Sequence, residues 1–282
     1  MLKQRIITAL VLLAILLPAL FHPSPAPFAA VVLVLIAAAG WEWGRLNGLA
    51  GGGAVAAGLM VAVASAGAWW AGWPSQPLPW LWAAGSVVWI LGSIILLSAG
   101  VASWRSILKG VRLIAGLVLL WLAWLAVAHA RTLGVNFLLS VLALVWAADV
   151  FAYFAGRRFG LRFTRDKLAP TISPGKSWEG AWGGFIGVVV VALVWVAADR
   201  ALGAASPSFY SRLAGHGPWL LLPGLAVMTA LSVAGDLVES LVKRSAGAKD
   251  SSALLPGHGG VLDRVDALLP TLPLALALIS FA

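Results

Sequence analysis

The sequence predicts an all-α, polytopic transmembrane helical bundle of about nine spans, with the N-terminus cytoplasmic and the C-terminus outside. Hydrophobic residues make up 61% of the 282 and charged residues only 10%, against about half and ~25% in a soluble domain. Uncharged runs of about 20 residues recur along the chain, the length that crosses ~30 Å of hydrocarbon. The runs are continuous rather than alternating, so helices are expected rather than a closed barrel.

Taken in order, Lys3 and Arg5 precede the first apolar run. No small-residue cleavage site follows it, only Pro18 and the turn Pro23-Ser24-Pro25-Ala26-Pro27, so it reads as an uncleaved span. The spans fall at about 4–21, 27–43, 53–73, 80–99, 111–130, 135–155, 180–198, 218–240 and 264–282. Tryptophans such as Trp41, Trp43, Trp69, Trp70, Trp80, Trp178 and Trp219 cluster near the ends, as interfacial anchors do. Residues 1–134 carry spans one to five; residues 135–282 carry spans six to nine with the polar segments.

Charge sets the orientation. With the N-terminus inside, sixteen of the nineteen Lys and Arg fall on the cytoplasmic side, leaving Arg131, Arg200 and Arg212 outside. The same bias accounts for the net charge of +9 without invoking nucleic acid. The absence of cysteine excludes disulfides, thiolate chemistry and Cys-ligated zinc. Acidic residues are uneven too. Asp149, Asp166, Glu179, Asp236, Glu239, Asp250, Asp263 and Asp266 gather at cytoplasmic span ends in the second half, and only Asp199 lies outside. The positive-inside rule gives carboxylates no reason to gather there. The first half is nearly featureless apart from Glu42 and Arg45.

Three segments carry candidate chemistry. In the eighth span Ser232, Asp236, Glu239, Ser240 and Lys243 form one helical stripe, with Arg244 beside it. Carboxylates at membrane depth are costly and usually face an interior cavity. Then come Lys249-Asp250, the Gly-rich turn Pro256-Gly257-His258-Gly259-Gly260, and Asp263-Arg264-Val265-Asp266. Such a turn allows close backbone approach and can aim N–H groups at phosphate oxygens. Asp236, Asp263 and Asp266 are hard oxygen ligands suited to Mg²⁺, which takes one or two carboxylates and leaves room for substrate phosphate. Ordinary helix N-terminal charge would also explain one of the last two. The third segment runs from Asp149 through Tyr153, Arg157, Arg158 and Arg162 to Ser173-Pro174-Gly175-Lys176-Ser177. Attraction to anionic lipid suffices for Arg157, Arg158 and Arg165. Gly175-Lys176-Ser177 ends like a Walker A loop, but Pro170 stands where that loop needs Gly, and no strand precedes it. Lys176 still suits a phosphate contact.

The 27-residue block from Ser240-Leu241-Val242-Lys243-Arg244 through Lys249-Asp250 to Pro256-Gly257-His258-Gly259-Gly260-Val261-Leu262-Asp263-Arg264-Val265-Asp266 resembles the signature of the phosphatidate cytidylyltransferase (CDP-diacylglycerol synthase) family. Asp149, Ala152-Tyr153, Gly156-Arg157, Ile172-Ser173-Pro174, Lys176 and Trp178-Glu179-Gly180 resemble its second region. Ser252 departs from the Gly often found there. The resemblance implies that CTP and phosphatidate give CDP-diacylglycerol and pyrophosphate in phospholipid biosynthesis. It implies Mg²⁺ as cofactor, with K⁺ a candidate second cation, and a homodimer. On this reading Asp236, Lys243, Arg244, Lys249, Asp263 and Arg264 are the catalytic set. Ser173, Lys176, Ser240, His258, Gly259 and Gly260 bind substrate, and Asp236, Asp263 and Asp266 hold the metal. The expected location is the plasma (inner) membrane, with the site facing the cytoplasm and open sideways to membrane lipid.

Overall fold

The computed structural model describes residues 2–282. Twelve α-helices account for nearly all regular structure: α1 (Leu2–Phe21), α2 (Ala26–Leu46), α3 (Gly51–Trp70), α4 (Pro79–Ala99), α5 (Val101–Ser106), α6 (Lys109–Leu133), α7 (Val135–Phe159), α8 (Trp178–Leu202), α9 (Phe209–Gly215), α10 (Pro218–Ser245), α11 (Leu262–Val265) and α12 (Leu268–Ser280). Eight of them, α1–α4, α6–α8 and α10, are long and apolar enough to cross a membrane. Large apolar side chains such as Val63, Ile95, Val194 and Trp70 point outward from them, the surface expected of a lipid-facing bundle.

The helices begin where the sequence punctuates. Proline sits in the first turn of α2, α4 and α10, where its missing N–H costs nothing. Two hairpins pack closely because small residues face one another. On α2 and α3, a methyl at Gly58 would lie 2.5 Å from the Ala37 carbonyl. On α7 and α8, one at Gly184 would lie 2.8 Å from the Ala148 carbonyl. Close backbone approach of this kind supplies dispersion where lipid removes the hydrophobic drive. Around these pairs Trp82, Trp124, Phe137, Phe209, Tyr210 and Met228 are fully buried.

The expected span at 264–282 differs. Its helix is broken between α11 and α12, and Pro270 supplies the reason: it has no N–H to offer the Asp266 carbonyl one turn earlier. That carbonyl packs instead over Gly235 of α10, where a Cβ would sit only 2.7 Å away. The 13 residues of α12 rise about 20 Å at ~1.5 Å per residue, short of the ~30 Å hydrocarbon core. Eight helices, against nine expected, therefore have the length to span.

Two residues assigned by charge to the outer side are structural. Arg131 is buried and donates to the Leu20 and His22 carbonyls at the end of α1, 2.9 and 2.5 Å away. Asp199 accepts from Asn136, the Ser208 N–H and the Ser211 hydroxyl, joining α7, α8 and α9.

Candidate active site

The site is built around the C-terminal end of α10. The stripe expected from the sequence is present: Glu239 and Lys243 are buried, while Asp236 and Ser240 are half-buried. The Lys243 ammonium pairs with Glu239 one turn back and with Asp263 Oδ1 at 2.6 Å. Asp236 Oδ2 pairs with Lys176 at 2.6 Å, and Ser240 Oγ donates to Asp236 Oδ1 at 3.3 Å.

Two loops bring partners to that stripe. The first joins α7 to α8. Ser177 caps α8 by accepting from the Gly180 N–H at 3.1 Å, which fixes the preceding Lys176 at the helix entrance. Glu179, buried in the first turn, reaches back: its Oε1 accepts from the N–H groups of Phe163 and Thr164 and from the Thr164 hydroxyl, at 3.0, 2.9 and 2.9 Å. Lys176 then projects into a cavity of about 470 Å³ lined by Asp149, Tyr153, Gly156, Arg157 and Asp236 among others.

The second loop joins α10 to α11. Asp263 Oδ2 accepts from the Ser251 N–H, the Ser251 hydroxyl and the Gly260 N–H at 2.9, 2.9 and 2.7 Å. Burial alone would raise this carboxyl, but Lys243 and the two backbone donors outweigh it and hold it below the usual carboxylate range. Gly259 adopts φ +81°, and a Cβ there would meet Asp263 Oδ2 at 2.6 Å, so only glycine fits. The Gly260 N–H, read from the sequence as a phosphate donor, is thus spent on Asp263. His258 is half-buried with Nδ1 unpartnered, and its carbonyl accepts from Arg264.

Asp266 lies within electrostatic reach of Asp236, Lys243 and Asp149. The two lysines therefore sit among five carboxylates: Asp149, Asp236, Glu239, Asp263 and Asp266. If all were ionised, five against Lys176, Lys243 and the cavity-lining Arg157 would leave two negative charges to be met by something else. Among the described residues no three His, Asp or Glu side chains converge as a metal cage. That is compatible with Mg²⁺, which keeps its waters and is shared with substrate phosphates. Asp236 and Asp149, which both line the cavity, are the carboxylates placed to share such an ion with a substrate. Asp263, with four donors already on its two oxygens, would have to exchange Lys243 first.

A family model described as "Cytidylyltransferase family" matches residues 3–282. The chain belongs to that family. A phosphatidate cytidylyltransferase of Pseudomonas aeruginosa is 40% identical over 290 residues, covering 99% of this chain and 97% of the relative. The Haemophilus influenzae protein of the same name is 33% identical over 309 residues, 97% of this chain and 96% of its own. A Thermotoga maritima phosphatidate cytidylyltransferase matches about half of each chain, at 39% over 146 residues.

Within this family member the sequence-nominated residues divide. Asp236, Ser240, Lys243, Asp263, Asp266 and Lys176 come together. Arg244, Lys249 and Arg264 are exposed: Arg244 caps the Ala248 carbonyl, Arg264 holds the His258 carbonyl, and Lys249 makes no ion pair or side-chain hydrogen bond among the described residues. Ser173 is half-buried in the first loop, its carbonyl accepting from the Lys176 N–H at 3.1 Å. Arg157, attributed above to lipid attraction, lines the cavity and donates to the Tyr153 hydroxyl at 3.0 Å. Glu42, to which the sequence assigns no role, is fully buried on α2 against the second loop. Its partners lie more than 200 residues away in sequence, and no local pattern signals such a contact.

Proposed function

We propose that this chain transfers the cytidylyl group of CTP to phosphatidate, giving CDP-diacylglycerol and pyrophosphate. The observation that carries the proposal is the cavity at which Asp149, Lys176 and Asp236 meet, in a chain matched by the family model over residues 3–282. In this reaction a phosphate oxygen of phosphatidate attacks the α-phosphorus of CTP, and the bond from that phosphorus to the pyrophosphate oxygen breaks. Phosphatidate is already substantially ionised near neutral pH, so no strong general base is required. Both reactants are anionic, and catalysis consists mainly of positioning and charge neutralisation.

Lys176, held at the entrance to α8, is the mobile cation that meets a phosphate when Asp236 releases it. Arg157, with its guanidinium on the cavity wall, offers a second phosphate contact. Lys243 keeps Asp263 ionised and in place. Asp236 and Asp149 would hold Mg²⁺, which when bound would supply neutralisation of charge on the transferring group. The unmatched carboxylates support this cation, and K⁺ is a candidate for a second one. Arg244, Lys249 and Arg264 form the exposed basic rim that triphosphate meets first, and His258 with its free Nδ1 is a further contact.

A second, apolar cavity of about 270 Å³ lies along α10, lined by Trp89, Leu96, Trp104, Val238 and Glu239 among others, and it suits the acyl chains of the lipid. We further propose an N-terminus and active site facing the cytoplasm of the plasma (inner) membrane, from the partition of basic residues, and a homodimer, from the family resemblance. The test is product identity. Purified protein with Mg²⁺, CTP and phosphatidate should form CDP-lipid and pyrophosphate in equal amounts. Formation of CDP would instead mean γ-phosphate transfer and would overturn the proposal.

A further inference from the structure

We infer that Glu42, in the otherwise featureless N-terminal half, is a positioning residue for cytidylyl transfer, acting through the loop that carries Asp263. The inference rests on the function proposed above. Glu42 sits in α2 with no solvent exposure. A carboxylate so placed is costly unless its oxygens are fully engaged, and here they are. Oε1 accepts from the Ser252 hydroxyl at 2.6 Å and the Val261 N–H at 2.9 Å. Oε2 accepts from the Leu262 N–H at 2.8 Å, and the Ser251 hydroxyl 3.1 Å away shares its one proton between this oxygen and Asp263 Oδ2.

These four donors lie at both ends of the loop, two just after Asp250 and two at the entrance to α11. One side chain therefore closes the loop as a clasp. Its reach to the reacting groups is a single step: the Ser251 hydroxyl lies within hydrogen-bond distance of both Glu42 Oε2 and Asp263 Oδ2. Gly260 completes the fit, since a Cβ there would come within 2.3 Å of Glu42 Oε1 and 2.0 Å of the Ser251 hydroxyl. The Asp263 carboxylate, and through it Lys243, is thus oriented from a helix more than 200 residues away.

The chemistry dictates the variant. In Glu42→Gln one oxygen becomes an NH₂ group. Either orientation sets that group against a backbone N–H, of Val261 or of Leu262, which cannot turn round to accept. The serine hydroxyls can rotate; the backbone cannot. The variant keeps size and shape and opens one side of the clasp.

The experiment uses the full-length protein in detergent with CTP, phosphatidate and Mg²⁺. It measures kcat and KM, thermal unfolding, and hydrogen exchange of the segment 250–266. Ser86→Ala, which removes a buried hydroxyl bonded within α4 to the Trp82 carbonyl, serves as the structural control. We expect Glu42→Gln to lower kcat about ten-fold or more, the scale of a small misplacement of reacting groups. KM should change far less, and faster exchange should be confined to the loop, with a melting temperature close to that of the control. A kcat within about two-fold of wild type would overturn the inference. So would a loss of activity that simply tracks a falling melting temperature and faster exchange throughout the bundle. Should Glu42→Gln fail to accumulate, Ser252→Ala takes its place, because that hydroxyl donates to Glu42 and otherwise only accepts from the exposed Leu254 N–H of the same loop. A loss of a few-fold in kcat with local exchange is expected, and wild-type kcat would overturn the inference. If wild type forms no CDP-lipid, the proposed function fails. If wild type is active and the variants match it, only the clasp fails.

Discussion

The loop between α7 and α8 and the loop between α10 and α11 are both closed by a buried glutamate. In the first, Glu179 accepts from two consecutive N–H groups and a hydroxyl only 15 and 16 residues upstream. In the second, Glu42 accepts from two consecutive N–H groups and two hydroxyls 209 to 220 residues downstream. The first clasp is local and can form as soon as α8 starts. The second needs α2 to meet α11 and the loop before it, so it completes only when the two ends of the chain have come together. The difference suits their cargo. The local clasp carries Lys176, paired with Asp236 and, on the proposed function, released from it to meet a phosphate. The long-range clasp carries Asp263, which already has Lys243 and three other donors and is fixed.

Variants can break or sharpen this comparison. The largest effect is expected from Asp263→Asn, which removes the negative partner of buried Lys243. Activity should fall to background while the protein still inserts and folds, and near-normal turnover in a CDP-lipid assay would show that the fixed loop is dispensable. Next is Lys176→Met, which removes the mobile cation but keeps its stem. A loss of roughly 10²-fold in kcat, the usual cost of deleting one preorganised charge contact, is expected by steady-state kinetics. Glu179→Gln should cost less, about ten-fold, with faster hydrogen exchange at 160–177 and none at 250–262. Equal loosening of both loops would show that they are not independent units.

The smallest effects concern stability. Ser177→Ala removes the cap of α8 and should cost about 1 kcal/mol in a denaturant or thermal series, with activity reduced only modestly. The Asp263 carboxyl is held below its ordinary value of 3.8. Its contribution is therefore complete above that pH and lost as pH falls through the depressed value. The part of the stability gap between wild type and Asp263→Asn that comes from the Asp263 charge should be lost only as pH falls below 3.8, read in denaturant series at stepped pH.

What was legible in the sequence follows the same division between local and distant. Apolar runs located eight helices to within about a turn at each end, because bilayer length is written in consecutive residues. The stripe Asp236, Glu239, Ser240 and Lys243 was readable for the same reason, since helical spacing is local. The shortened α12 was readable in principle from Pro270, but the apolar tail outweighed it. Basic residues were less informative: Lys176 and Arg157 reach the cavity while Arg244, Lys249 and Arg264 stay at the surface. A charge in a sequence does not say which way a loop turns. Glu42 carried one local signal, a carboxylate in an apolar helix, but its partners lie more than 200 residues away and nothing local names them.

The central claim is that the carboxylate–lysine cluster around Asp236 carries cytidylyl transfer. The most direct measurement is pyrophosphate release by Asp236→Asn in the presence of CTP, phosphatidate and Mg²⁺, alongside its melting temperature. Release at background from a protein that unfolds like wild type is the expected result. Turnover within about ten-fold of wild type, the loss expected of a merely supporting group, would contradict the account.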